Sequence, residues 1–117
     1  MRNVWGRRGH ALVDYVTAPA LYLLARRTAL SRRPRGWADT FVLLILLAVT
    51  TTRTPLGVVR LVPFRWHGRL ELASVGVQLA LPWLAGFAAE RRARQFFLGF
   101  AVYNFLVWRA TDWSADR

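Results

Sequence analysis

The chain has 117 residues, enough for one domain of ordinary size, and 55% of them are hydrophobic. Seventeen basic residues against six acidic ones give a formal net charge of +11, and there is no cysteine. The apolar fraction excludes a disordered chain, and the lack of cysteine excludes disulfides, thiolate metal sites and a cysteine nucleophile. The glycine-rich nucleotide-binding motifs and the His-Glu-x-x-His metalloprotease motif are absent too.

The arginines form clusters between long apolar runs and do not line one face of a helix. One cluster lies at 26–35 and another at 91–94. Charge confined to the ends of apolar segments is typical of membrane proteins, because headgroups attract arginine and hydrocarbon rejects it. We therefore expect the lipid bilayer, including its anionic lipids, as the main partner, and no nucleic acid.

Four apolar segments follow one another at 11–25, 37–52, 70–89 and 96–108. A chain of 117 residues cannot bury four helices that are apolar on every side, and the six tryptophans lie at or near segment ends, as in an aromatic belt. The sequence predicts an all-α fold: a four-transmembrane-helix bundle, multi-pass in the bacterial cytoplasmic (inner) membrane, with both termini on the same side. The arginines are divided almost evenly between the two sides, so the orientation stays open.

A shift of 57 residues brings the two halves into register. His10 and Asp14 then fall on His67 and Glu71, and the segment boundaries agree at the same offset. The sequence therefore predicts two pseudo-repeated helical hairpins within one domain of residues 1–117. The first hairpin covers about 10–54, a linker about 55–66, and the second hairpin about 67–113.

The linker has a recognisable pattern. The stretch TPLGVVRLVPFRWHG at 54–68 leads to Glu71 and then to PWLAGF at 82–87. This pattern resembles that of the SPW-repeat type of small bacterial integral membrane protein. The first half has Leu24-Ala25-Arg26 where the resemblance expects Ser-Pro-Trp, and Leu81 replaces the serine of the second copy. The resemblance implies a fold and a membrane location, and it transfers no catalytic residue.

Four ionisable residues are the candidates for chemistry: His10, Asp14, His67 and Glu71. Each histidine precedes its acid by four residues, so each pair shares a helix face. Two imidazoles and two carboxylates would bind a divalent metal ion, or would relay protons.

A structural interpretation competes with the metal and proton hypotheses. In it, the acids accept hydrogen bonds from arginines of the linker and helix ends, and the same arginines would bind lipid headgroups. These arginines are Arg53, Arg60, Arg65 and Arg109. Gln78 and Asn104, two polar residues within apolar helices, could also meet and bond across helices.

These observations favour a protein without catalytic activity and without a cofactor. We expect a structural, partner-binding or envelope-stress role, with a membrane-protein partner or a homo-oligomer. The alternative is an ion, proton or metal transporter or channel component that uses the His/carboxylate cluster. The sequence contains no recognisable nucleophile–base pair that would indicate an enzyme.

Overall fold

The computed structural model describes residues 4–116, which form four α-helices. They are α1 (Arg7–Arg27), α2 (Arg32–Thr51), α3 (Phe64–Leu84) and α4 (Arg91–Arg109). Within the described residues there is no β-strand, only two isolated bridges, Trp5 with Thr111 and Thr52 with Val62. The all-α, four-helix prediction is confirmed.

The helices pair as two hairpins, α1 with α2 and α3 with α4. At one end of the bundle the two hairpin turns meet, where the Ser31 hydroxyl donates to Glu90. The second turn uses Gly86 at φ 79°, a left-handed conformation that ends α3 earlier than the apolar pattern predicted. At the other end the first and last described segments lie side by side, with the Val4 N–H donating to the Ala110 carbonyl at 2.6 Å.

The prediction of membrane spans is not supported. Among residues 4–116, no helix combines sufficient length with sufficient hydropathy to cross a bilayer. The reason lies in the helix bounds: α2 begins at Arg32 and contains Arg35 and Asp39 ahead of its apolar run, and α3 contains Arg69 and Glu71. This finding contradicts the predicted multi-pass localisation in the inner membrane.

Polar side chains gather inside the bundle at the end where the termini meet. Buried there are His10, Asp14 and His67, together with Thr52 and Thr111. An apolar core that includes Leu21, Phe41, Phe87 and Phe97 occupies the turn end instead. The fold therefore places His10, Asp14 and His67 in a protected interior, where an unpaired charge is costly.

Candidate metal centre

Helices α1 and α3 bring all four candidate residues to one point. His10 and Asp14 lie one turn apart on α1, and His67 and Glu71 lie one turn apart on α3. One ligand atom from each of the four residues lies within 4.8 Å of the corresponding atoms of the others. The side chains of His10, Asp14, His67 and Glu71 are 1%, 9%, 6% and 11% exposed. The two H-x-x-x-[DE] patterns thus form one buried cluster.

Three of the separations between donor atoms can be compared with those of a tetrahedral metal site. Asp14 Oδ2 lies 3.2 Å from His10 Nε2 and 3.1 Å from His67 Nε2, and Glu71 Oε2 lies 3.4 Å from His10 Nε2. Ligands at ~2.0–2.1 Å from a zinc ion in tetrahedral geometry are separated from one another by about 3.3–3.4 Å. These three separations are close to that value, and the four ligand atoms together lie within 4.8 Å of one another.

Two threonines orient the imidazole rings. The Thr111 hydroxyl donates to the Val107 carbonyl at 2.7 Å, so its oxygen accepts from His10 Nδ1 at 2.9 Å. The Thr52 hydroxyl likewise donates to the Ala48 carbonyl at 2.6 Å, and its oxygen accepts from His67 Nδ1 at 2.8 Å. Both rings therefore carry a proton on Nδ1, and Nε2 is the atom that each directs to the centre. This arrangement is common around metal-ligating histidines.

Two polar atoms of the cluster are buried without a hydrogen-bond partner: His10 Nε2 and Glu71 Oε2. Among residues 4–116, these two are the buried side-chain nitrogen and oxygen atoms that lack a hydrogen-bond partner. A buried polar atom of this kind costs about 1–3 kcal/mol when it stays unpaired. The two atoms lie 3.4 Å apart, so either a proton on Glu71 Oε2 or a cation between the two atoms would satisfy both.

An aromatic wall closes one side of the cluster. The Trp113 ring lies 4.6 Å from His10 and 5.9 Å from His67, centroid to centroid, and 4.8 Å from Phe64. Its Nε1 donates to the Trp108 carbonyl at 3.0 Å, and Trp108 Nε1 donates to the Gly68 carbonyl at 2.9 Å. A Cβ at Gly68 would lie 2.5 Å from Trp113, so only glycine allows this approach. The wall keeps water away from the imidazoles.

The two carboxyl groups have opposite pKa shifts. Burial raises the pKa of Glu71 well above its ordinary value, and the negative charge of Asp14 adds to the effect. Burial would also raise the pKa of Asp14, but its contacts with His10 and His67 outweigh that effect and leave the pKa lowered. The cluster therefore keeps one carboxylate charged and holds a proton readily on the other.

The arginines that the sequence predicted as hydrogen-bond partners of Asp14 and Glu71 lie elsewhere. Among the described residues, neither Asp14 nor Glu71 has an arginine within salt-bridge distance, since both acids face histidines. Arg60 donates to the Pro55 and Gly57 carbonyls, and the Arg53 carbonyl accepts from Arg7. Arg65 and Arg109 line a surface recess beside Trp108. Binding of these four arginines to lipid headgroups stays a prediction.

The sequence pattern did not predict the roles of Thr52, Thr111 and Trp113 in the site. Thr50, Thr51 and Thr52 each donate to a carbonyl of α2. No local signal links Thr52 to His67 or Thr111 to His10, because these contacts join separate helices. The predicted meeting of Gln78 and Asn104 is confirmed, with Asn104 Nδ2 donating to Gln78 Oε1 at 3.1 Å.

No protein-family model, curated protein or solved structure matches this chain. The resemblance to SPW-repeat proteins therefore stays a prediction.

Proposed function

We propose that this protein binds one divalent transition-metal ion, of the zinc class, through His10, Asp14, His67 and Glu71. The observation that supports this most strongly is the convergence of four donor atoms from two helices within 4.8 Å. The imidazole orientation adds to it, because both Nε2 atoms are directed inward by bonds from Nδ1 to Thr52 and Thr111.

The donor set favours a borderline transition metal over magnesium or calcium. Imidazole nitrogens suit zinc, copper, iron and nickel, whereas magnesium and calcium prefer oxygen ligands in greater number. A dication would also neutralise the two carboxylates, which the surrounding apolar residues otherwise leave poorly solvated. Among the metals that bind such sites, zinc accepts four-coordinate geometry most readily.

The ion would join the two hairpins. Each hairpin contributes one histidine and one acid, and the helices otherwise pair mainly within their own hairpin. A metal bound only by the folded chain stabilises it by mass action. A role in partner binding or envelope stress, and the absence of enzymatic activity, stay predictions.

Calorimetric titration of chelator-treated protein with zinc tests the proposal. We expect one zinc ion per chain, an affinity at least tenfold lower in Asp14→Asn, and no binding at this site in His67→Ala. Loss of a charged or imidazole ligand removes a direct metal bond, so these effects should exceed those of any surface change.

Asp39→Asn is the matched control. Asp39 also contacts a basic group, Arg26 at 2.8 Å, but this pair is exposed and lies outside the cluster. The control should bind zinc as the wild type does. A wild-type chain that binds no zinc, or binds it equally well after Asp14→Asn, would contradict the proposal and leave a metal-free histidine–carboxylate network.

A further inference from the structure

A cavity of about 440 Å³ lies between α2 and α3, beside the proposed metal centre. Leu44 and Leu47 of α2 and Leu70 of α3 line it, and these side chains are 49%, 61% and 60% exposed. The cavity therefore reaches the protein surface between the two helices.

The inner end of the cavity is formed by the metal ligands. Asp14, His67 and Glu71 all line it, so the cavity meets the centre on the side of its two carboxyl groups. A buried metal site needs a path by which the ion can arrive. This cavity leads from the surface to three of the four ligands.

The aromatic wall closes another side of the centre. Trp113 contacts both imidazoles, and its ring packs against Gly68 so closely that a Cβ there would lie 2.5 Å from it. Its Nε1 is held by the Trp108 carbonyl at 3.0 Å. An ion that approached from this side would have to displace a packed, hydrogen-bonded side chain.

The charges along the possible approaches also differ. Two surface recesses at the same end of the bundle are each lined by three arginines, namely Arg65, Arg69 and Arg109 in one and Arg7, Arg53 and Arg60 in the other. Among the described residues that line the cavity there is no arginine, and its ionisable residues are the three metal ligands. Arginine-lined recesses repel a dication, whereas carboxylates attract it.

Two hydroxyl groups offer oxygen atoms along the cavity. Thr51 and Ser74 both line it. Thr51 donates to the Leu47 carbonyl at 2.6 Å and Ser74 donates to the Glu71 carbonyl at 2.8 Å, so each hydroxyl oxygen remains an acceptor. The water molecules of a hydrated dication donate hydrogen bonds, and these oxygens can accept them on the way to the ligands.

We propose that the metal ion enters and leaves the centre through the cavity between α2 and α3. The folded chain then exchanges its ion with solution without separating its two hairpins. This inference rests on the proposed function, because it assigns the route by which that same ion is bound.

Stopped-flow kinetics with a wall variant test the route. Mixing zinc with chelator-treated protein in the presence of a colorimetric zinc indicator gives the association rate, and mixing zinc-loaded protein with excess EDTA gives the dissociation rate. Ala48 lines the cavity on α2. Ala48→Phe should lower both rates at least tenfold and leave zinc affinity unchanged, because it narrows the path without contacting a ligand. Ala20→Phe, at an exposed position of α1, is the matched control and should change neither rate.

A pair of charge variants at the cavity mouth tests the same route at an exposed position. Leu44→Glu should bind zinc at least fivefold faster than Leu44→Lys at low salt, and the ratio should fall at high salt. Leu12→Glu and Leu12→Lys are the controls, because Leu12 is also 49% exposed but lies on α1 outside the cavity. These two should bind zinc at nearly equal rates. The Leu44 pair decides the question even if Ala48→Phe fails to fold.

The route and the metal centre fail in distinguishable ways. A chain that binds zinc at wild-type rates after Ala48→Phe, or whose Leu12 pair differs as much as its Leu44 pair, overturns the route alone. A chain that binds no zinc overturns the metal centre, and the route with it.

Discussion

Thr52 and Thr111 orient the two imidazoles of the proposed metal centre. Each hydroxyl donates its proton to a helix carbonyl and accepts from a histidine Nδ1, so each selects the ring tautomer whose Nε2 is available to a metal ion. We predict that Thr52→Val and Thr111→Val each lower zinc affinity by about 10–100-fold, the usual effect of losing such a partner. Calorimetric titration measures this change.

Thr40→Val provides the control for the threonine variants. The Thr40 hydroxyl also donates to a carbonyl four residues earlier, that of Gly36 at 3.0 Å, but it is exposed and contacts no histidine. Its zinc affinity should equal that of the wild type. Equal losses in all three variants would show that the effect comes from the helices and not from the imidazoles.

Two glycines of α3 should respond in opposite ways to the same substitution. A Cβ at Gly68 would lie 2.5 Å from Trp113, whereas a Cβ at Gly76 would meet nothing within 4 Å. We predict that Gly68→Ala lowers the free energy of unfolding by about 1–3 kcal/mol, because the wall must move. Gly76→Ala should raise it by about 0.5–1 kcal/mol through helix propensity. Urea unfolding of chelator-treated protein measures both, and a stabilised Gly68→Ala would contradict the packing of Trp113.

At the scale of the helices, α1 and α3 bring the two acids close together. The raised pKa of Glu71 means that the folded chain binds its proton more tightly than the unfolded chain does. The stability that this tighter proton binding adds is complete below the ordinary pKa of 4.5, which applies to the unfolded chain. It is lost as the pH rises through the higher pKa that Glu71 has in the folded chain. We predict that Glu71→Gln raises the melting temperature of zinc-free protein at about pH 8 and that the difference shrinks towards about pH 4.

Glu90→Gln tests whether this effect belongs to the cluster. Glu90 accepts from Ser31 at the opposite end of the bundle, and glutamine retains an oxygen for that bond. This variant should follow the wild-type pH profile. A Glu71→Gln chain that melts below the wild type at high pH would show that the carboxylate is stabilising there, contrary to its environment.

The elements themselves could be predicted from the apolar runs, but their ends could not. Predicted segments at 37–52 and 96–108 correspond to α2 and α4, which begin about a turn earlier because arginines join the first turn of each helix. The spacing of His10 with Asp14 and of His67 with Glu71 placed each pair on one face. Their meeting across hairpins, and the contact of His10 with Thr111 over 101 residues, depend on packing that local patterns do not encode.

At the scale of the whole molecule, large apolar side chains are exposed on all four helices. Val16, Leu43, Leu70 and Val102 are each more than half exposed. Exposed apolar surface in this amount usually marks an interaction surface. The net charge of +11 opposes association of copies, and salt screens that repulsion.

We predict that copies of the chain associate through these faces, more strongly at high salt than at low salt. Sedimentation velocity should show species heavier than the 13.4 kDa chain, and Val102→Gln with Leu106→Gln on α4 should shift them towards the monomer. Thr40→Gln, an exposed polar position on α2, is the control and should leave the distribution unchanged. A wild-type chain that stays monomeric at high salt would contradict this prediction.

The visible absorption spectrum of cobalt(II) bound to chelator-treated protein tests the metal centre most directly, because it reports coordination as well as binding. The geometry of His10, Asp14, His67 and Glu71 predicts the intense bands of a four-coordinate ion, saturating at one equivalent and abolished by zinc. His67→Ala should lose these bands, and Asp39→Asn should keep them. A wild-type spectrum no stronger than that of hydrated cobalt would contradict a metal centre between α1 and α3.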